Sequence, residues 1–442
     1  MIAVERFEQL AQSAIDGLRP GENLSLSLEA EASEFVRFNQ ARVRQAGHVR
    51  QAMLTLVLDD GTRQASIQLT LTGSADDTGK VMAAVEQLRH LLPLLAIDPW
   101  LASNTEVWNV RKATQECIDE TDTARVVDHI CTAAAGLDLV GILASGPIYR
   151  GFANSAGAFG WHQAHSLHVD WSLFHPNGQA VKAGLATPGW DPDAFDRQLA
   201  LGRQQLEYLG LPVVTVKPGD HRAYLAPAAL DELLGMLAWG GFSAQALASQ
   251  ASPLQKLYSG QASLNTAVSV SERITGSLSP AFSSEGRPRL DLPLITNGAA
   301  GERLVSSRSA TEYGIPCNGA DPGEGPVALD MAPGELALSK VPEALDRGLY
   351  INNLWYLNYS DMPAARLTGL TRFATFWVEH GQIVGPVDTM RFDDSVYDLL
   401  GNQLLALTQE RELIVSTNTY EQRHTASSRL PGALVNRLRL TL

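Results

Sequence analysis

The chain has 442 residues, 45% hydrophobic and 19% charged, which supplies a large core and excludes a disordered chain or a small stapled scaffold. Its net charge of -14 repels nucleic acid and anionic lipid, so neither is expected as a partner. Cys117, Cys131 and Cys317 are too few and too scattered for a disulfide framework or a CxxC metal site, and they point to a reducing compartment. Glu5 and Glu8 interrupt any signal-peptide core, and Leu91 to Ile97 carries Pro93 and is far shorter than the roughly 20 residues of a membrane span. A cytoplasmic protein of two or three domains is expected.

Apolar residues from Ile2 to Ile15 recur at helical spacing, and Gly17 and Pro20 end that helix. Leu24, Leu26 and Leu28 then alternate with polar residues, which predicts a strand. Residues 35–39 and 41–45 read as two further short strands around an Asn39-Gln40 turn. Asp59 to Thr62 separates strands at 53–58 and 65–71, a hairpin signal because Gly61 accepts a positive φ. Asp76-Asp77-Thr78 is placed to cap a helix running to His90. The segment from Pro93 to Trp108 reads as a connection.

A second unit begins near 121, where Thr121 to Thr123 can cap a helix bearing Val126, Val127 and Ile130. Strands are expected at 137–144, 148–154 and 161–174, a turn at His175 to Gly178, and a helix over 193–209. Pro212 to Pro218 reads as a strand bounded by prolines. Pro227 to Trp239 reads as a helix, with proline at its start where a missing N–H costs nothing. Beyond about 260 the chain is rich in glycine and proline, with short strands and few helices. The fold class is therefore α+β. Residues 1–217 form an N-terminal α+β domain with an antiparallel sheet, in two segments of about 1–100 and 101–217. Residues 218–442 form a mostly antiparallel β domain.

No catalytic set emerges from the residues. His162, His165, His168 and His175 crowd one stretch, but His162 and His168 would stand about 20 Å apart on a straight strand, at roughly 3.3 Å per residue, and His165 points the other way. Glu86 with His90, and Glu421 with His424, have spacings that could reach one metal but also arise by chance. Cys317 follows a proline in a loop, and no base for it can be named. No HExxH or HExxxH occurs, so the pairing of zinc ligands with a glutamate base is not present. The glycine clusters match neither GxGxxG nor a phosphate loop.

Several segments together resemble one family. They are Glu34 to Gln45, Asn154-Ser-Ala-Gly157, Ser309-Ala-Thr-Glu-Tyr-Gly314, Gly348-Leu-Tyr-Ile351, and Phe376-Trp-Val-Glu-His-Gly-Gln-Ile383 with Pro386-Val387. In this order, over about 23 to 410, they resemble the TldD/PmbA family of peptidase modulators. In that family the TldD branch carries HExxxH on a mid-chain helix and a later cysteine, which hold zinc. The TldE/PmbA branch lacks them. Here the corresponding helix, Leu230 to Phe242, holds no histidine. The chain departs from the family at Cys317-Asn-Gly and over Leu354 to Arg366.

The resemblance implies a non-catalytic TldE/PmbA-like subunit of a two-chain zinc metallopeptidase acting on small or unfolded peptides. Such a subunit has no cofactor of its own, is inactive alone, and pairs with a zinc-bearing TldD-like paralogue. The alternatives are a homodimeric peptide-binding or scaffolding protein of the same family, and a self-sufficient hydrolase using Cys317 or the histidines. The residues expected to face a peptide or partner are Trp355, Tyr356, Tyr359 and Met362, because aromatic and Met side chains favour interfaces.

Overall fold

The computed structural model describes residues 3–113 and 123–442, and its strands fall into two sheets. The first holds β1 (Asn23–Asn39), β2 (Arg42–Asp59), β3 (Gln64–Thr70), β4 (Asn109–Ala113), β5 (Asp138–Asn154), β6 (Phe159–Phe174) and β7 (Ala180–Thr187). Their order is β3-β2-β1-β5-β6-β4, with β7 also on β6. All pairs are antiparallel except β4 with β6. The alternating leucines of β1 face α1 (Val4–Asp16) and α2 (Asp76–Leu91). Leu24, Leu26 and Leu28 pack there with Phe7, Leu10, Val81, Val85 and Leu88, each worth about 1.5–3 kcal/mol on full burial. At the other end α3 (Thr123–Ala133) and α4 (Pro192–Leu209) bury Val126, Ile130, Phe195 and Leu199 against Trp171 and Leu173 of β6.

The second sheet comprises β8 (Gly219–Leu225), β9 (Val270–Glu272), β10 (Leu292–Thr296), β11 (Ala299–Ala300), β12 (Ala328–Met331), β13 (Gly348–Asp361), β14 (Arg366–Glu379), β15 (Gln382–Pro386), β16 (Arg391–Ser395), β17 (Leu404–Val415) and β18 (Ser427–Leu440). It is mostly antiparallel. The parallel pairs are β8 with β13 and β12 with β18. Because β8 pairs with both β13 and β18, the run β18-β16-β14-β13-β8 closes on itself. Helix α5 (Pro227–Ala238) packs against β13, β18 and β8 in the core that these strands enclose. Its Ala229, Leu230, Leu233, Leu234 and Leu237 are at most 2% exposed.

The expected α+β class, with an antiparallel sheet first and a mostly antiparallel β part after it, is the fold observed. The expected tight turn at Asp59 to Thr62 forms, and a second closes the 376–383 segment. Gly61 takes φ 81°, and His380-Gly381 take 50° and 71° between β14 and β15. Four expectations are corrected. The short strands at 35–39 and 41–45 are the ends of two 17- and 18-residue strands. Those at 137–144 and 148–154 are one strand, which runs on through Gly146-Pro147. Pro212 to Pro218 forms no strand, only a bridge between Val214 and Val387, since its flanking prolines have no N–H to offer a ladder. Asp76 and Asp77 do not occupy the N-cap of α2, which is Ala75. Asp77, fully buried, instead accepts from the N–H groups of Thr72 and Gly73 in the preceding turn.

The proposed caps Thr121 and Asp122, and Cys117, lie outside the described residues. No described helix is long and apolar enough to cross a membrane.

Candidate functional site: a polar seam between the sheets

The first sheet has two unlike faces. Paired residues in a sheet point to the same side. The register Glu31↔Ile148, Arg150↔His162, Ala144↔His168 and Asp170↔Gly184 therefore places Glu29, Glu31, Ser33, Arg150, His162, Ser166, His168, Asp170 and Lys182 on the face opposite the helices. Glu31, Ser33, Arg150, His162, Ser166 and His168 are all buried there. This face is closed by residues of the second half of the chain, and burying so many polar groups requires that they be partnered.

The partner is the segment between β17 and β18. Arg423, 2% exposed, donates to Ser33 Oγ at 3.2 Å, Gly146 O at 3.2 Å, Ser166 O at 2.9 Å and the Ser166 hydroxyl. Arg150 Nη2 returns a bond to Arg423 O at 3.1 Å. Gln422 reaches Glu29 at 2.7 Å, and Gln51 bonds both Glu31 and Glu421 O at 2.6 Å. Ser33 Oγ donates to Glu31 at 2.6 Å. Burial lowers the Arg423 guanidinium to about 10, and the nearby Glu31 carboxylate opposes that fall, so it stays charged at neutral pH. Gly146 is needed here. Its φ is 120°, and a Cβ would stand 2.2 Å from Ala32 O.

The histidine stretch lies in this seam. His162 bonds Leu278 O through Nε2 at 2.9 Å, so its proton is assigned to that nitrogen. Among the described residues its Nδ1 has no partner, and neither has His168 Nε2. Burial pushes both imidazoles down to about 4, with the charge of Arg423 adding to the effect at His168. Two residues beyond His168, Asp170 is raised by burial and held against that rise by Lys182, whose Nζ is 3.6 Å away.

Helix α5 turns its polar side toward the same region. Burial raises the Asp231 carboxyl, while the Ser428 hydroxyl donates to it. Glu232, which keeps solvent contact, is raised by burial and by Asp231, and Lys182 of β7 opposes the rise. Two carboxyls of elevated pKa beside a lysine can hold or pass a proton. The polar positions of α5 offer no imidazole or thiolate, the ligands zinc favours beside carboxylate. Among the described residues no group of three or more His, Cys, Asp or Glu side chains is placed to hold a metal.

The family whose description reads PmbA/TldA metallopeptidase C-terminal domain matches residues 218–441, just over half of the chain. The chain belongs to the PmbA/TldD family. No curated protein sequence matches it. Its fold is similar to that of TldE from Thermococcus kodakarensis, with a TM-score of 0.81 at 17% identity over 99% of this chain and 100% of that one. It is similar to a putative modulator of a DNA gyrase from Thermotoga maritima, with a TM-score of 0.78 at 17% identity over 98% and 100% of the two chains. A putative modulator of DNA gyrase from Bacteroides thetaiotaomicron matches with a TM-score of 0.76 at 15% identity over the full length of both.

Of the residues expected to face a peptide or partner, two are open and two are not. Tyr356 is 76% exposed, at a bulge where its φ is 53°, and Met362 is 41% exposed at the β13–β14 turn. Trp355 is half-buried, edge-on to Tyr356 and Phe373 under the Arg372 guanidinium. Tyr359 is half-buried too, and its hydroxyl donates to Met236 O of α5 at 2.6 Å. Cys317 is half-buried, with its thiol on Val305 O at 3.4 Å. Glu86 is taken up by Arg19 and Arg89. Arg423, Glu31, Lys182 and the Asp231-Glu232 pair were missed by sequence reasoning. The one signal available was Glu31 and Ser33, polar residues out of phase with the leucines of β1.

Proposed function

We propose that this PmbA/TldD family chain is a non-catalytic, TldE/PmbA-like subunit of a two-chain zinc metallopeptidase that acts on small or unfolded peptides. The observation that carries the reading is α5. Set against the family's HExxxH spacing, Asp231-Glu232-Leu-Leu-Gly-Met236 keeps the glutamate and replaces both histidines. Zinc, when present, belongs to a TldD-like paralogue of similar fold, where it would polarise the scissile carbonyl and activate water. This chain supplies the polar seam as part of the chamber wall, and Tyr356 and Met362 as surface for the peptide or the partner. The compartment is the cytoplasm, in keeping with the free thiols Cys131 and Cys317. Similar folds associate most readily about a two-fold or pseudo-two-fold axis.

The purified chain should retain no stoichiometric zinc by elemental analysis. Mixed with a zinc-bearing HExxxH paralogue, it should form a one-to-one complex by light scattering. About one zinc per chain, lost on changing Asp231 or Glu232, would overturn the reading. A homodimer that ignores the paralogue would favour the scaffolding alternative.

A further inference from the structure

Beside the polar seam lies a cavity of about 330 Å³, walled by the 273–278 loop, β12, β17, the start of β18 and Thr187-Pro188 at the end of β7. It adjoins the seam directly, because Leu278 lines it and the Leu278 carbonyl is the partner of His162. Three arginines line it: Arg273, Arg411 and Arg429. Arg411 is occupied, with Nη1 at 2.6 Å from Asp330 and 3.0 Å from Met331 O. Asp330 is the only acid in the lining. Arg273 and Arg429 are exposed, and neither guanidinium makes a hydrogen bond or ion pair with a described residue. On the same wall the Thr187 hydroxyl is buried, with no hydrogen-bond partner among the described residues.

The chain carries 48 acidic against 34 basic side chains, yet this lining holds three arginines and one acid, Asp330, which is taken up by Arg411. Guanidinium groups present a fork of donors that matches a carboxylate. A buried hydroxyl without a partner is costly until something accepts from it or donates to it. Leu278, Leu329, Leu413 and Val415 give the lining an apolar part, beside the hydroxyl residues Thr275, Ser277 and Ser427. It suits the side chain of a residue more than a bare inorganic ion.

We propose that this cavity binds a carboxylate of a short peptide through Arg273, Arg429 and the Thr187 hydroxyl. The carboxylate is either the peptide's C-terminus or an Asp or Glu side chain. The inference rests on the peptide reading above, and binding without catalysis tests it separately from zinc content and pairing.

The experiment measures fluorescence anisotropy of three labelled pentapeptides with the full chain. The first is Ala-Leu-Ala-Leu-Ala with a free C-terminus, the second its C-terminal amide, and the third the amide with glutamate at the third position. At least one carboxylate-bearing peptide should bind tenfold or more tightly than the neutral amide. Arg273→Ala and Arg429→Ala should each remove about tenfold, the effect of one charged hydrogen bond, with unchanged melting curves. Preference for the free acid identifies the C-terminus as the source, and preference for the glutamyl amide identifies the side chain. Equal affinity for all three peptides, no binding of any, or affinities untouched by both substitutions would overturn the proposal. The pairing measurement would still stand or fall alone.

Discussion

Replacing Arg423 with alanine should lower folding stability by about 3–5 kcal/mol, read from the urea midpoint at constant slope. The side chain is 2% exposed and reaches Ser33, Gly146 and Ser166 on three strands of the first sheet, β1, β5 and β6. Its loss leaves the buried Glu31 with Arg150 as its remaining nearby cation and strips a donor from the Gly146 and Ser166 carbonyls. Each acceptor left unmet costs about 1–3 kcal/mol. Arg423→Lys keeps the charge but cannot fork between strands, so it should fall between the two. Because the contacts join segments more than 250 residues apart, the variant should also open the 416–426 segment to protease before the sheets unfold. A loss below 1 kcal/mol would show that the seam does not depend on this side chain.

The second large effect is acid lability. His162 and His168 sit near pKa 4 in the folded protein and near 6.5 when unfolded. Above about pH 6.5 both states hold neutral imidazoles and stability is undiminished. Between 6.5 and 4 the unfolded chain takes up protons that the folded chain refuses, so stability falls with pH. Below 4 both states are protonated and the loss is complete. Each histidine accounts for about 3 kcal/mol of that loss. Asp170, raised by burial in the same seam, acts in the opposite direction, since the folded state takes up its proton first as pH falls. The comparison that isolates the imidazoles is therefore a difference profile. Stability of the wild type and of a His162→Gln, His168→Gln variant should converge or cross as pH falls toward 4. Parallel profiles would contradict the account.

The elements most legible in the sequence are those with a local cause. Leu24, Leu26 and Leu28 alternate because one side of β1 meets helices, and Gly61 and Gly381 mark turns that need positive φ. Legibility fails where a strand is buried on both faces. Glu31 and Ser33 continue the polar side of β1 and look like a solvated face, because the Arg423 that bonds Ser33 lies 390 residues away. Gly146-Pro147 reads as an interruption of β5, yet Gly146 is small because Ala32 O passes against it. The same blindness hid the site. The histidines were visible as a cluster, but the groups around them come from β1, β5, β7, α5 and the 416–426 segment. Tyr359 drew attention as an aromatic near an exposed hairpin, although its hydroxyl is committed to the end of α5.

The measurement that bears most directly on the central claim is peptide hydrolysis before and after reconstitution. The chain alone, supplied with zinc, should leave an unfolded peptide intact. Addition of a zinc-bearing HExxxH paralogue should produce cleavage that a chelator abolishes and that exceeds what the paralogue achieves by itself. Cleavage by this chain alone, with or without chelator, would contradict the account, as would a paralogue whose rate is unchanged by this chain.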